Sequence, residues 1–158
     1  NDAWRDNWGF VPLAESEWVE TVTTLGKLMP DEYIQIAEDD GVPVAFIVGL
    51  PNINEAARDL KGKLLPFGWL KLLWRLKVRH PKTARVPLMG VRREYQHSRL
   101  GPTLAFMVTD ALRKEFHLRG VQDVEMGWIL EDNDGMRNII EIIGGKAYKR
   151  YRIYEKDL

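Results

Sequence analysis

Apolar residues recur at helical intervals from Glu15 to Leu28, where Trp18, Val19, Val22, Leu25 and Leu28 share a side and Glu15 and Glu17 sit in the first turn, which suits the positive end of a helix dipole. An amphipathic helix is predicted there. Upstream, Trp4, Trp8 and Phe10 are spaced for a short helix or packed turn and read as core anchors. Downstream, Tyr33 to Glu38 and Val42 to Leu50 read as two strands joined by Asp39-Asp40-Gly41, a hairpin signal because Asp-Gly accepts the positive φ of tight turns. Pro51 and Asn52 close the second strand. A further short strand runs from Val86 to Val91. After a polar turn, Pro102 to Phe116 forms a helix whose core face is Leu104, Met107, Val108 and Leu112. Gly101 as N-cap and Pro102 as first helical residue predict a helix start with several backbone N–H groups unpaired, which is a place for an anion. Val121 to Leu130 is the next strand. Asn133 then suits an N-cap and Gly144 a helix-ending glycine, and Ala147 to Glu155 reads as a terminal strand.

An insertion of different character separates Pro51 from the strand at Val86. From Leu60 to Arg93 there are ten Lys or Arg and no acid. Within it, Gly68 to Arg79 reads as a helix with two apolar stripes, Trp69, Leu72, Leu73 and Leu76 on one and Leu70, Trp74 and Val78 on the other, with Lys71, Arg75 and Arg79 between them. One stripe can pack on the core; the second needs another surface. A sister domain N-terminal to this one or a homodimer partner comes first, a lid over a donor or acceptor site second, and shallow contact with an anionic membrane last.

Composition narrows the class. A chain of 158 residues suits one domain, 1–158, able to bury roughly 70% of its unfolded surface. With 23 basic and 23 acidic side chains, nothing global favours DNA or a strongly charged partner. There is no cysteine, hence no disulfide, thiolate nucleophile or thiolate metal site, and a reducing, cytoplasmic setting is compatible. His80, His97 and His117 lack metal-ligand spacing, so no metal is expected. No run reaches the length of a membrane span. The opening NDAWRDNWGF carries no initiator Met, so a piece of a longer protein, or one whose first residues are missing, is expected.

The stretch Gln96-His97-Ser98-Arg99-Leu100-Gly101, led in by Val91-Arg92-Arg93-Glu94-Tyr95, resembles the Gln/Arg-x-x-Gly-x-Gly/Ala signature of GNAT-type N-acyltransferases. Asn133 to Gly145 resembles that family's second signature, and the order of elements follows the family, either as a divergent member or as the C-terminal half of a longer protein. The resemblance implies a mixed α/β fold: a central, mostly antiparallel, twisted sheet splayed between the family's fourth and fifth strands, with helices on both faces. The family's first strand would lie before Asn1, and the basic helical insertion would cover about residues 53–83.

It also implies function. Acyl-CoA, with acetyl or a longer chain, would be the co-substrate. The backbone of Met89, Gly90 and Val91 would pair with pantetheine; Gln96, His97, Ser98, Arg99, Leu100, Gly101, Pro102 and Thr103 would surround the pyrophosphate; and Asn133 and Asn138 would border the cofactor. Two positions depart from the family pattern. Arg99 stands where the first Gly belongs, and Ile140 stands seven residues after Asn133, where many members place a Tyr acid. The acid would then be Tyr148 or Tyr151, with Glu125 or Glu131 as base. Arg99 would pair with phosphate. The implied activity is transfer of an acyl group to a small-molecule or peptide amine. The alternative is a non-catalytic module of a tandem protein that binds a domain or partner. An aminoacyl-tRNA donor, suited to the basic insertion, ranks below both.

Overall fold

The structure, a computed structural model, describes residues 2–4, 11–27 and 29–156. Trp8, Phe10 and Leu28 lie outside the described residues. By compactness the chain divides into two units, Asn1–Trp128 and Ile129–Leu158.

The first unit opens with a short 3-10 turn at Asp2–Trp4 and helix α1, Glu15–Gly26. Glu17 fixes the start of α1 by accepting a hydrogen bond from the Ala14 backbone N–H at 2.8 Å. The helix forms as expected, but none of its residues is buried, and Val19 and Val22 face outward. Strands β1 (Ile34–Asp39) and β2 (Val42–Pro51) follow, turned by Asp40 and Gly41 at positive φ. Then come α2 (Ile53–Ala57), α3 (Gly68–Trp74) continuing as a wide π turn over Arg75–Arg79, β3 (Thr83–Val91), α4 (Arg93–Gln96), α5 (Leu100–Leu118) and β4 (Asp123–Met126). Among the described residues no strand precedes α1.

The four strands form one sheet in the order β1-β2-β3-β4. The first three are antiparallel and β4 joins parallel to β3, so the sheet is mixed and mostly antiparallel. Between β2 and β3 the register jumps from Val48↔Leu88 to Leu50↔Arg85. Gly49 thus opposes both Val86 and Pro87, a bulge that tolerates proline because it interrupts the ladder.

Helix α5 covers one face of this sheet. Its buried residues are Gly101, Ala105, Val108, Leu112 and Phe116, spaced by three or four and therefore on one line. The expected face of Leu104, Met107, Val108 and Leu112 is corrected by this: Met107 points to solvent, because the small residues Gly101 and Ala105 set the side that can approach the sheet. The approach is tight at Gly49, where an added Cβ would collide with Phe116 Cζ. Phe116 also meets the fully buried Tyr33 edge-on, ring centroids 4.8 Å apart.

Helix α2 is tied to the start of β3 by polar contacts. Asn52 Oδ1 caps α2, accepting from the N–H groups of Asn54 and Glu55. Glu55 accepts from the backbone N–H groups of Lys82 and Thr83 at 2.9 and 3.0 Å and from Thr83 Oγ1 at 2.7 Å. Burial pushes the Glu55 carboxyl up, but those three hydrogen bonds outweigh it and hold it below its ordinary value. A carboxyl depressed in the folded state stabilises above its unfolded pKa, and that stabilisation fades as pH falls through the folded value. Glu55→Gln is therefore expected to lower Tm at neutral pH and to flatten the loss of Tm between about pH 5 and about pH 3; unfolding scans across that range check it.

The second unit contains α6 (Asp134–Ile142). Asn133 Oδ1 accepts from Met136 N–H at 3.1 Å, so Asn133 is the N-cap. Gly144, at φ 88°, bonds back to Glu141 O and Gly145 to Ile140 O, the paired bonds of a Schellman ending. The terminal strand expected at Ala147 to Glu155 is not formed: residues 147–156 carry no regular secondary structure. A strand needs a hydrogen-bonding edge, and the described residues of this unit contain no other strand. The strand expected over Val121 to Leu130 is likewise shorter, Asp123–Met126.

Candidate active site

Beyond the bulge, β3 and β4 part. Their ladder runs from Thr83↔Asp123 to Val86↔Met126, and Gly127 N–H still reaches Val86 O at 2.8 Å. Gly127 has to be glycine here, since a Cβ would meet Val86 O at 2.7 Å. From Leu88 to Val91, β3 is paired only with β2. Arg92 N–H bonds Val44 O at 2.8 Å, so by antiparallel alternation Met89 and Val91 turn their backbone groups away from β2, into the splay.

Two of those groups already have partners. Trp4 Nε1 donates to Met89 O at 3.0 Å, and Gln96 Nε2 donates to Val91 O at 2.8 Å and to Ala3 O at 3.1 Å. The Trp4 ring meets Phe46 edge-on at 5.6 Å, and a Cβ on Gly90 would touch Ala3 Cβ at 2.9 Å and Phe46 Cε1 at 2.8 Å. A hollow of about 270 Å³ lies beside this contact, with Ile36, Phe46, Gly90 and Ala3 in its wall. The turn at residues 2–4 thus lies along the stretch Met89-Gly90-Val91.

The start of α5 differs from the sequence expectation. Its first helical residue is Leu100, with Gly101 inside the first turn and Arg99 as N-cap. The N–H groups of Ser98, Leu100 and Gly101 are not unpaired: they bond Tyr95 O, Ser98 Oγ and Ser98 O at 3.0, 3.1 and 3.3 Å. The acceptors are Tyr95 of α4, which ends three residues before α5, and Ser98 of the turn between the two helices. Gly101 is buried because a Cβ would stand 2.5 Å from Tyr95 O, so this glycine serves helix-to-helix approach. Pro102 and Thr103 are exposed in the same turn, and Thr103 Oγ1 leans on Arg99 O at 3.5 Å. Around this turn, His97 and Arg99 are exposed, and no ion pair engages either among the described residues. Tyr95 donates to Asp39 Oδ2 at 3.0 Å, and that bond to a carboxylate pushes the phenol up.

Glu125 sits half-buried on β4, beside Arg85 of β3 in the register. In the second unit, Asn133 is occupied as a cap, Asn138 is exposed on α6, and Tyr148 and Tyr151 are each 65% exposed. Glu131 accepts from Arg152 at 2.9 Å. Ile140 is the residue against which Gly145 closes, its Cγ2 filling the space that a Cβ of Gly145 would need. The structure therefore brings Met89, Gly90, Val91 and Gln96 together within the first unit, with 97–103 continuing from them. Trp4 is the site residue that sequence reading missed as such; its indole N–H, a donor that needs a partner when covered, was the available signal.

No family model matches the chain. Protein YghO of Escherichia coli (strain K12) is 58% identical over 158 residues, spanning all of this chain and 40% of that protein. The bacterial ceramide synthase of Caulobacter vibrioides (strain NA1000 / CB15N) is 48% identical over 158 residues, again all of this chain and 41% of that protein. The chain thus spans about two fifths of the length of these curated relatives. Among solved structures, an aminoglycoside acetyltransferase from an uncultured soil metagenomic sample, in complex with trehalose, aligns at a TM-score of 0.50 and 12% identity, over 96% of this chain and 78% of that one. That likeness, together with the mostly antiparallel sheet that splays beyond β3 and the Gln96 to Gly101 turn leading into α5, gives this chain the fold that the resemblance to GNAT-type acyltransferases implies.

Proposed function

We propose that the protein is an acyl-CoA-dependent N-acyltransferase whose acceptor is a long-chain lipid amine. The observation that carries it is the 48% identity, over the whole of this chain, to a protein named for ceramide synthesis. A ceramide is the amide of a fatty acid and a long-chain amino alcohol, so the name describes acyl transfer to an amine. The fold supports the same chemistry.

In the reaction the amine nitrogen attacks the thioester carbonyl, loses a proton and forms the amide, while the C–S bond breaks and the thiolate takes a proton. Glu125 serves as the base in this reading. Arg99 binds a phosphate of coenzyme A as a guanidinium fork. The pantetheine arm takes the β3 edge after the Trp4 indole leaves Met89 O. Since that departure costs about one net hydrogen bond, Trp4→Ala is expected to bind acyl-CoA about fivefold more tightly than the parent; titration calorimetry checks it.

The test of the function is direct. The full-length protein is incubated with acyl-CoAs of graded length and a long-chain amino alcohol, and N-acyl product and free thiol are measured together. Equal amounts of the two support the reading; thiol release without amide, or neither, overturns it. Saturating acyl-CoA, at about a hundred times its Kd, is expected to raise Tm by roughly 5 to 10 °C. One observation favours the second reading, a non-catalytic module: the chain's own Trp4 and Gln96 already satisfy the β3 edge. Under that reading neither the parent nor Trp4→Ala shifts with any acyl-CoA.

A further inference from the structure

We propose that the basic helical insertion is a membrane-surface anchor, which seats the protein on anionic phospholipid through residues of the loop before α3 and the outer side of the helix. The inference rests on that surface alone and stands apart from the acyl-transfer reading.

The helix has two differently treated sides. Leu76 is fully buried and Leu72 and Leu73 are half-buried, while Trp69 at the start of the same stripe is exposed, so that stripe packs over its last three members. The other stripe, Leu70, Trp74 and Val78, is uncovered, with Trp74 52% and Val78 62% exposed. The preceding loop adds Leu65 and Phe67, 82% and 72% exposed. Large apolar side chains standing this far out on consecutive turns form a patch, and a patch of this kind marks an interaction surface.

Charge decides which surface. Asp59 is the acid that meets the helix, and it is consumed by Arg75, bidentate, and by Lys71 at 2.7 Å. Those bonds, Arg75's foremost, hold its carboxyl far below the usual range, so it stays an ion and keeps those two cations. Lys61, Lys63, Lys77 and Arg79 have no acidic partner among the described residues. On the helix, the unpaired Lys77 borders the line of Leu70, Trp74 and Val78 on one side, and Lys71, already paired with Asp59, on the other. An apolar line with an indole, bordered by long cationic side chains, matches the headgroup boundary of a bilayer, where indole and aliphatic groups enter and ammonium groups stay with phosphate. Another protein surface would have to supply a matching run of acids. No helix of the described residues is long and apolar enough to cross a membrane, so the contact is with one leaflet.

Flotation of the full-length protein with vesicles tests this, using phosphatidylcholine alone and phosphatidylcholine mixed with phosphatidylglycerol. Binding is expected to the mixed vesicles, weakening as salt rises. Lys77→Glu with Arg79→Glu is expected to lower the partition coefficient by at least about fivefold per charge. Trp74→Ser with Val78→Ser lowers it without altering the salt dependence. Lys61→Glu with Lys63→Glu, in the loop, gives a second charge variant that leaves the helix untouched, and Lys146→Glu is the control that leaves binding unchanged. No binding of the parent, equal binding of all variants, or a parent dimer that Trp74→Ser with Val78→Ser splits without any vesicle binding would overturn the proposal.

Discussion

Phe116→Ala is expected to destabilise the chain by about 3–5 kcal/mol and to lower Tm by roughly 10 °C or more. The ring closes three elements at once. It stands under Gly49 of β2, where no side chain fits, beside Leu112 of its own helix, and edge-on to Tyr33 before β1. Removing it leaves a cavity that the neighbours cannot fill: Gly49 has nothing to extend, and Tyr33 is held by the Arg119 guanidinium 5.6 Å from its ring centre. Arg119 is itself fixed by Glu32 at 2.9 Å and Glu115 at 2.5 Å. Denaturant unfolding of parent and variant measures the loss, and Phe116→Leu should recover about half of it. A cost near about 1 kcal/mol would mean the helix seats on the sheet without this ring.

Arg99→Glu is expected to weaken acyl-CoA binding by about 10- to 100-fold, the value of a charge-assisted hydrogen bond lost, with like-charge repulsion pushing toward the upper end. Arg99 is exposed and free of ion pairs among the described residues, so the substitution leaves the fold alone and Tm without ligand should stay within about 1 °C of the parent. Arg99→Lys should restore part of the affinity, since an ammonium keeps the charge and loses the fork. Calorimetric titration at two salt concentrations separates the effects: the parent's affinity falls with salt more steeply than that of Arg99→Glu. An unchanged Kd would remove Arg99 from the phosphate site.

Local chemistry made much of the first unit legible, and the helix of the second. Asp40 and Gly41 turn the hairpin as their positive φ requires, Asn133 caps α6, and Gly144 ends it. Each of these is decided within a few residues. The face of α5 was not legible, because the periodicity of Leu104, Met107 and Leu112 fits two adjacent stripes, and the choice fell to the small residues Gly101 and Ala105 that let the helix approach the sheet. The terminal strand was misread for a related reason. Alternation in residues 147–155 describes what a strand would look like, while pairing depends on an edge that lies elsewhere in a chain. At the site, the Gln96 to Gly101 stretch was legible through its resemblance to the GNAT-type signature. That Trp4 would spend its indole N–H on Met89 O could not, since a contact across 85 residues of sequence leaves no local trace.

The bulge opposite Gly49 works as a parity switch. Because Val86 and Pro87 share one partner position, every residue of β3 after them is rotated by half a pleat relative to an unbroken ladder, and that rotation decides which carbonyls look into the splay. A ladder carried on unbroken from Leu50↔Arg85 would set Met89 opposite Phe46 rather than Ile47, turn Met89 and Val91 toward β2 and offer the cleft their neighbours instead. The one residue by which β3 exceeds β2 between these pairs is thus as much a part of the site as any side chain in it.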